Sequence, residues 1–347
     1  MNGQYVDPME FHSNRFNTMV ETLQVLIELG ADVNALDITH STPLHLASAS
    51  GIPGIVQILV ENSADVNAKN ETHSTPLHRA SVMGRAESVQ LLIEHGADVT
   101  AQDWRHRTPL HLASSNVSAE SVSPSFRLRA ILKGQDDDTI TSHVVTPKAK
   151  TETAWLLIKH GADVTARDKT LSTPLHMASS VGSVETVRLL IEHGANVTAQ
   201  NETHSTPLHL ASSWVSSTTA PLLLYCRADV YGQQDTYFEG CNNELSMTKV
   251  QMVQLLIEQG ADVTMQDATY STPLHLASYQ GSAKTVQLLI EHGANVTVRD
   301  GSNGTPLHLA SSWVSTTASL FSFIQQRVDR KCRMIASTSN PMKKSHM

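Results

Sequence analysis

The chain has 347 residues, a formal net charge of −8 and three cysteines. Apolar residues make up 40% of it, aromatic residues 5% and charged residues 17%, which is enough aliphatic material for a folded core. The negative charge argues against a surface that coats phosphates, because nucleic-acid binding needs clustered Lys and Arg. We therefore expect a folded protein that does not bind nucleic acid.

Targeting signals and cysteine chemistry are not evident. The first thirty residues contain no apolar run of signal-peptide length, and no run of about 18 apolar residues could span a bilayer. Cys226, Cys241 and Cys332 lack the spacing of metal ligands. We expect an intracellular, cytoplasmic protein that is monomeric and has no membrane span.

The string Ser-Thr-Pro-Leu-His, or a close variant, recurs along the chain. The histidines of successive strings are 33, 33, 65, 33, 66 and 33 residues apart; they are His45, His78, His111, His176, His209, His275 and His308. We interpret the two double spacings as degenerate repeats. The sequence then predicts ten units, which begin near residues 4, 37, 70, 103, 136, 168, 201, 234, 267 and 300.

Residues 267–299 indicate how one unit folds. Thr272 is a suitable N-cap, and Pro273 follows at the first helical position, where a missing N–H has no cost. A second helix, expected over residues 285–291, carries an apolar stripe and ends at Gly293. Because one helix pair cannot bury this stripe alone, the units must stack into an all-α solenoid.

The period of 33, the string Thr-Pro-Leu-His-x-Ala and the string Leu-Leu-Ile-Glu-His-Gly-Ala-Asp-Val closely resemble the ankyrin repeat. The resemblance implies β-hairpin-like finger turns, and binding of proteins through the finger tips and the concave face of the first helices. The expected organisation is an atypical N-terminal capping repeat over 1–36, regular repeats over 37–115, 155–213 and 251–313, degenerate repeat regions over 116–154 and 214–250, and an irregular C-terminal cap or tail over 314–347.

The finger turn departs from the family pattern, which usually has glycine there. In its place stand His40, His73, His106, Leu171, His204, Tyr270 and Asn303. Histidine and asparagine tolerate a positive φ better than most residues. We therefore expect a different turn at Leu171 and Tyr270.

The repeated histidines invite interpretation as metal ligands, but their spacing argues against it. Helices of neighbouring units pack about 8–10 Å apart, whereas zinc needs its nitrogen ligands at about 2 Å. We expect these histidines instead to tie the turn to the helix start by hydrogen bonds. No nucleophile elbow, phosphate loop or His-Glu-x-x-His string occurs, so the sequence predicts no catalytic, metal or cofactor site.

Positions that vary within the regular framework are the candidates for partner contact, because stacking leaves them free. Aromatic and Arg residues among them are typical of binding hot spots. The candidates are Trp104, Arg105 and Arg107 on one finger, and Val82, Met83, Asn116, Trp214, Tyr279, Gln280 and Trp313 on the helices. For Trp214 and Trp313, packing against neighbouring helices is an equal alternative.

The sequence as a whole predicts a protein–protein interaction module or scaffold. One alternative is a fragment of a larger multidomain receptor or scaffold, in which the repeat array is the sensing arm. Another is a partly decayed, non-functional product, because each defective unit would remove two stacking interfaces. An enzyme, with hydrolase as the first choice, would require titratable side chains that converge in one pocket.

Overall fold

The computed structural model describes residues 8–115, 146–213 and 250–311, and in these ranges the chain forms helix pairs and no β-strand. Each pair has a first helix that begins at the Pro of the repeated string, and a second helix packed beside it. The first helices are Pro43–Ser50, Pro76–Val82, Pro109–Ser114, Pro174–Val181, Pro207–Ser213, Pro273–Tyr279 and residues 306–311. The second helices are Pro8–Glu28, Pro53–Glu61, Ala86–Glu94, Pro147–Lys159, Val184–Glu192, residues 250–258 and Ala283–Glu291.

The helix boundaries follow the sequence signals. Thr272 is extended (φ −97°, ψ 166°) and precedes Pro273 at the start of its helix. The following second helix begins at Ala283, two residues before the expected position. Gly293, just after it, has a φ of 92°, the left-handed conformation that ends a helix.

The core is a continuous stack of leucines. Each first helix from Pro43–Ser50 to Pro207–Ser213 packs on the first helix of the next described unit. In the first helices other than the last, 306–311, the Leu that follows the Pro is almost completely buried. The second helices contribute a matching row of buried leucines. Burying one such side chain contributes about 2 kcal/mol relative to exposing it. Leu44, Leu77, Leu110, Leu175, Leu208 and Leu274 form the first row, and Leu59, Leu92, Leu157, Leu190, Leu256 and Leu289 form the second.

The turns before the first helices, which we call fingers, are held by an acidic or amide side chain. In the finger 267–271, Oδ1 of Asp267 accepts hydrogen bonds from the N–H groups of Thr269 (2.8 Å) and Ser271 (2.9 Å). The same arrangement occurs at Asp37, Asn70, Asp103, Asp168, Asn201 and Asp300.

The expectation of a different turn at Leu171 and Tyr270 is wrong. Their φ values are 58° and 60°, close to the 56° of His204. The Asp at the start of each finger holds two N–H groups of the turn, so the backbone keeps the same conformation with a less suitable residue. The strain of a left-handed bulky residue is therefore retained in two fingers.

Adjacent fingers are joined by a backbone hydrogen bond from each finger to the preceding one. Glu71 N–H, for example, donates to the carbonyl of Thr39 (3.0 Å). The same bond joins fingers that are far apart in sequence: Lys169 N–H donates to the Arg105 carbonyl (2.9 Å), and Ala268 N–H donates to that of Thr203 (2.9 Å). The finger 103–107 thus lies next to the finger 168–172, and 201–205 lies next to 267–271.

Two of the ten expected units, those beginning near residues 136 and 234, have no finger between their neighbours in the described stack. Because the finger 103–107 contacts 168–172 directly, the stack has no place between them for a unit beginning at residue 136. The helix Pro109–Ser114 packs against both Pro147–Lys159 and Pro174–Val181, so its partner second helix comes after the gap in the described chain. The same reasoning excludes a stacked unit beginning at residue 234. We call these two pairs interrupted units. Residues 116–145 and 214–249 connect the helices within them and lie outside the described residues.

A buried lysine holds the first interrupted unit together. Lys150, on the helix Pro147–Lys159, is 7% exposed, and its Nζ donates to the carbonyls of Leu112 (2.8 Å) and Ser115 (2.5 Å). These acceptors lie at the end of the helix Pro109–Ser114, where a cation is favoured. Burial lowers the pKa of Lys150 to about 7.

No helix in the described ranges is both long and apolar enough to cross a bilayer.

Shortening the first interrupted unit tests its continuity. We expect replacement of residues 117–144 by a linker of about six Gly and Ser residues to preserve helical circular dichroism and cooperative unfolding, because helix connections of 2–8 residues are ordinary. A control that also removes Pro147–Lys159 should disrupt the stack, since it deletes the buried Leu157. Loss of folding in the first variant alone would show that the replaced residues supply a unit of the stack.

Glycine at the two strained turns should stabilise the protein. A left-handed L-residue costs about 1–2 kcal/mol. Glycine removes this cost, but it also raises the conformational entropy of the unfolded chain, which offsets part of the gain in stability. We expect Leu171→Gly and Tyr270→Gly each to raise the free energy of unfolding by up to about 1 kcal/mol. Denaturant titration measures this. Ala268→Gly, on the same finger but without a positive φ, should lower stability slightly; a decrease at all three positions would contradict the account.

Candidate functional site

The repeated histidines connect neighbouring units. His45 is fully buried, and its Nε2–H donates to the carbonyl of Ser74 in the next finger (2.9 Å). Its Nδ1 accepts the N–H of Thr42, the N-cap of its own helix (3.1 Å). The hydrogen-bonded, structural role expected from the sequence is observed, and it extends further, to the adjacent unit. The equivalent acceptors are the carbonyls of Arg107 for His78, Ser172 for His111, Ser205 for His176, Ser271 for His209 and Gly304 for His275.

These hydrogen bonds require neutral imidazoles. A carbonyl can only accept, so Nε2 carries the proton, and Nδ1 must remain unprotonated to accept the Thr N–H. Burial lowers the pKa of His78 and of His176 to about 4, although the hydrogen bond to a carbonyl acts in the opposite direction. Burial likewise lowers the pKa of His45, His111 and His209.

With both nitrogens engaged, the rings of these histidines have no lone pair directed at a metal ion. In the part of the chain that the structure describes, no group of three or more His, Cys, Asp and Glu side chains could hold one.

The outward side chains of the fingers differ from this buried network. Trp104 is 45% exposed and has two cations near its ring. The Cζ of Arg105 lies 4.6 Å from the ring centroid, and the Nζ of Lys169, on the next finger, lies 5.6 Å from it. Both distances are within the range of cation–π attraction. The structure thus brings the sequence candidates Trp104 and Arg105 together with a lysine that the sequence analysis missed.

Three further candidates are less accessible to a partner than Trp104. Arg107 is half-buried and forms an ion pair with Asp103 (2.8 Å), so it holds its own finger. Val82 is 4% exposed, which corrects the expectation that it faces a partner, since it packs within the stack. Met83 is half-buried at the end of the same helix.

Two candidates lie at the end of the helix Pro273–Tyr279. Tyr279 is 43% exposed, whereas Gln280 is half-buried and its side-chain amide donates to the Ser213 carbonyl (3.3 Å). Asn116, Trp214 and Trp313 lie outside the described residues. Sequence reasoning also missed the exposed tips Ile38, Leu171 and Tyr270, although their position in the finger turn was a signal for them.

Comparison with known proteins identifies the family. The model of a family described as ankyrin repeats (3 copies) matches residues 12–103, 74–124, 142–234 and 245–322, most of the chain. The chain belongs to the ankyrin-repeat family. Ankyrin repeats are protein–protein interaction modules. Among solved structures, the human ASB11 ankyrin repeat domain is similar at 22% identity, with a TM-score of 0.55 over 78% of this chain and 92% of that one. No curated protein matches.

The ankyrin stack has a second surface, formed by the outer sides of the second helices. A groove of about 760 Å³ lies between Pro147–Lys159 and Val184–Glu192 and is lined by Trp155, which is 45% exposed. The Nζ of Lys159 lies 5.0 Å from the centroid of that ring. Trp155 therefore resembles Trp104 in exposure and in its cation, but it belongs to a helix.

Acid should destabilise the stack below about pH 6.5. The pKa of five buried histidines is lower in the folded state than the ordinary 6.5. Below pH 6.5, the histidines of the unfolded chain therefore bind protons while those of the folded chain remain neutral. The contribution of these histidines to the free energy of unfolding is complete above pH 6.5. As the pH decreases it falls by up to about 1.4 kcal/mol per pH unit for each histidine until the folded pKa is reached, which is about 4 for His78 and His176. Denaturant midpoints between pH 7.5 and 4.5 measure the effect.

Two variants assign this pH dependence. His176→Gln should reduce the acid slope and lower stability at pH 7.5 by about 1–3 kcal/mol, because it leaves the bonded groups unsatisfied. His308→Gln alters an exposed histidine at the end of the described stack and should change neither quantity. Equal effects of the two substitutions would contradict the assignment.

Proposed function

We propose that this ankyrin stack is a non-enzymatic scaffold that binds a protein partner through its finger tips and the concave face of its first helices. The observation that carries the proposal is the row of exposed, dissimilar tips on one hydrogen-bonded framework. Ile38 is 98% exposed, Tyr270 62%, and Trp104 and Leu171 45% each. The aromatic tips, Trp104 and Tyr270, are of the residue type that binding hot spots favour.

The framework beneath the tips favours binding by a preformed surface. Each finger turn is held by its Asp or Asn, each finger bonds to the preceding one, and each buried histidine fixes a helix to the next finger. A surface ordered in this way loses little entropy on association. Affinity then depends on a few desolvated side chains, of which exposed aromatic residues are the usual members.

The described contacts also weaken the alternative of a decayed product. That alternative requires defective units that each remove two stacking interfaces. In each interrupted unit both interfaces contain the histidine hydrogen bond. The carbonyls of Arg107 and Ser205 accept from the histidines of the preceding units, and His111 and His209 donate to Ser172 and Ser271 of the following units (3.1 Å each). The proposal includes a monomer with an intracellular, cytoplasmic location. Membership of a larger receptor or scaffold is compatible with the same surface.

Selection from a random peptide library displayed on phage tests the proposal. We expect peptides enriched on the purified full-length chain to lose about tenfold or more in affinity when Trp104 or Tyr270 is changed to Ala. Trp155→Ala, on the outer side of the stack, should leave their affinity unchanged. Failure to enrich any peptide, or equal losses with Trp155→Ala, would contradict binding through the fingers.

A further inference from the structure

The surface around Trp104 is cationic on a chain whose net charge is −8. Arg105 and Lys169 both approach the Trp104 ring, and within the described residues neither cation pairs with a carboxylate. The nearby Asp103 and Asp168 are almost completely buried and accept hydrogen bonds from their own turns. The exposed positive charge of Arg105 and Lys169 is therefore not neutralised by the carboxylates of their own fingers.

This cluster, Trp104 with Arg105 and Lys169, depends on the interrupted unit. Trp104 and Lys169 are 65 residues apart in sequence, yet their fingers are joined by the Lys169–Arg105 backbone hydrogen bond of 2.9 Å. With an additional unit between them, the fingers would be separated by two steps of about 8–10 Å each. Lys169 would then be outside the range of the Trp104 ring.

The three side chains offer complementary chemistry. Cation–π contacts keep both cations beside the ring, and both residues are exposed. A guanidinium can bind a carboxylate with two parallel hydrogen bonds, and an ammonium adds a second positive charge. Trp104 is 45% exposed, and the exposed part of its ring supplies apolar area for one side chain of a ligand.

We infer that the Trp104 cluster binds a short acidic peptide segment that carries an aromatic or large apolar residue between its carboxylates. This inference rests on the proposed function and specifies the partner. The flanking fingers carry Glu71 and Glu202, both exposed or partly exposed. Their charge repels an anionic ligand at either edge, so the acidic part of the segment is confined to the two central fingers.

Defined peptides provide the test. The probes are fluorescein-labelled 12-residue peptides with one Phe flanked by Glu, the same peptides with Gln for every Glu, and a 12-nucleotide single strand. Fluorescence anisotropy with the full-length chain measures the dissociation constant at low and high salt. We expect the Glu peptides to bind about tenfold or more tightly than the Gln peptides, and to weaken as salt screens the two cations.

Variants locate the binding. Trp104→Ala, Arg105→Glu and Lys169→Glu should each weaken the Glu peptides by about tenfold. Trp155→Ala and Lys159→Glu form the matched control, because that Trp is equally exposed and also has a cation over its ring. The control should leave the affinity unchanged. Thermal melts of all five variants should match that of the parent, since the altered side chains are exposed or partly exposed.

The outcomes separate this inference from the general function. Equal affinity for Glu and Gln peptides, tighter binding of the single strand, or equal losses in the control variants would overturn the acidic-segment inference. If phage-selected peptides still bind the fingers in that case, the scaffold function stands without it. If neither the defined peptides nor any selected peptide binds, both fail together.

Discussion

The rest of the structure depends on the hydrogen bond from each buried histidine to a carbonyl in the next finger. The same ring also accepts the N–H of the Thr that precedes its own helix, so it connects the helix, its N-cap and the adjacent finger. A helix of six to eight residues is too short to be stable alone. The bond therefore links the start of each short helix to the position of the adjacent finger. This buried contact also positions the exposed finger tips, so the proposed binding surface and the stability of the stack depend on the same hydrogen bond.

Much of this could be predicted from sequence. Thr272 and Pro273 mark a helix start by local chemistry alone, and Gly293 marks a helix end, so both appear where the pattern placed them. The turn at Leu171 could not be predicted in this way. Its own preference opposes a positive φ, but hydrogen bonds to Asp168 determine the conformation. Similarly, Val82 is at a variable position, yet its burial depends on neighbouring helices that a single repeat does not reveal.

The adjacency of the fingers 103–107 and 168–172 and the Trp104 cluster were missed for one reason: spacing along the chain does not report adjacency in space. A gap of 65 residues is compatible with an additional unit or with a long connection inside one unit. The hydrogen-bonding histidine distinguishes these two possibilities, because each stacked unit uses its histidine ring to bond to the next finger. At 33 residues after His111 the chain has Val144, which has no hydrogen-bonding side chain. That substitution was the available signal.

The interrupted units also show how little a long connection disturbs such a fold. The His111 bond to Ser172 closes 61 residues, compared with 29 for His176 and Ser205. Each doubling of a flexible loop adds about 0.6 kcal/mol of closure entropy, which is less than the contribution of one buried leucine. Added length should therefore slow the meeting of the two helices more than it weakens their final association. The connection between the two helices of an ankyrin unit is thus a position where foreign sequence can be inserted without changing which units stack on each other.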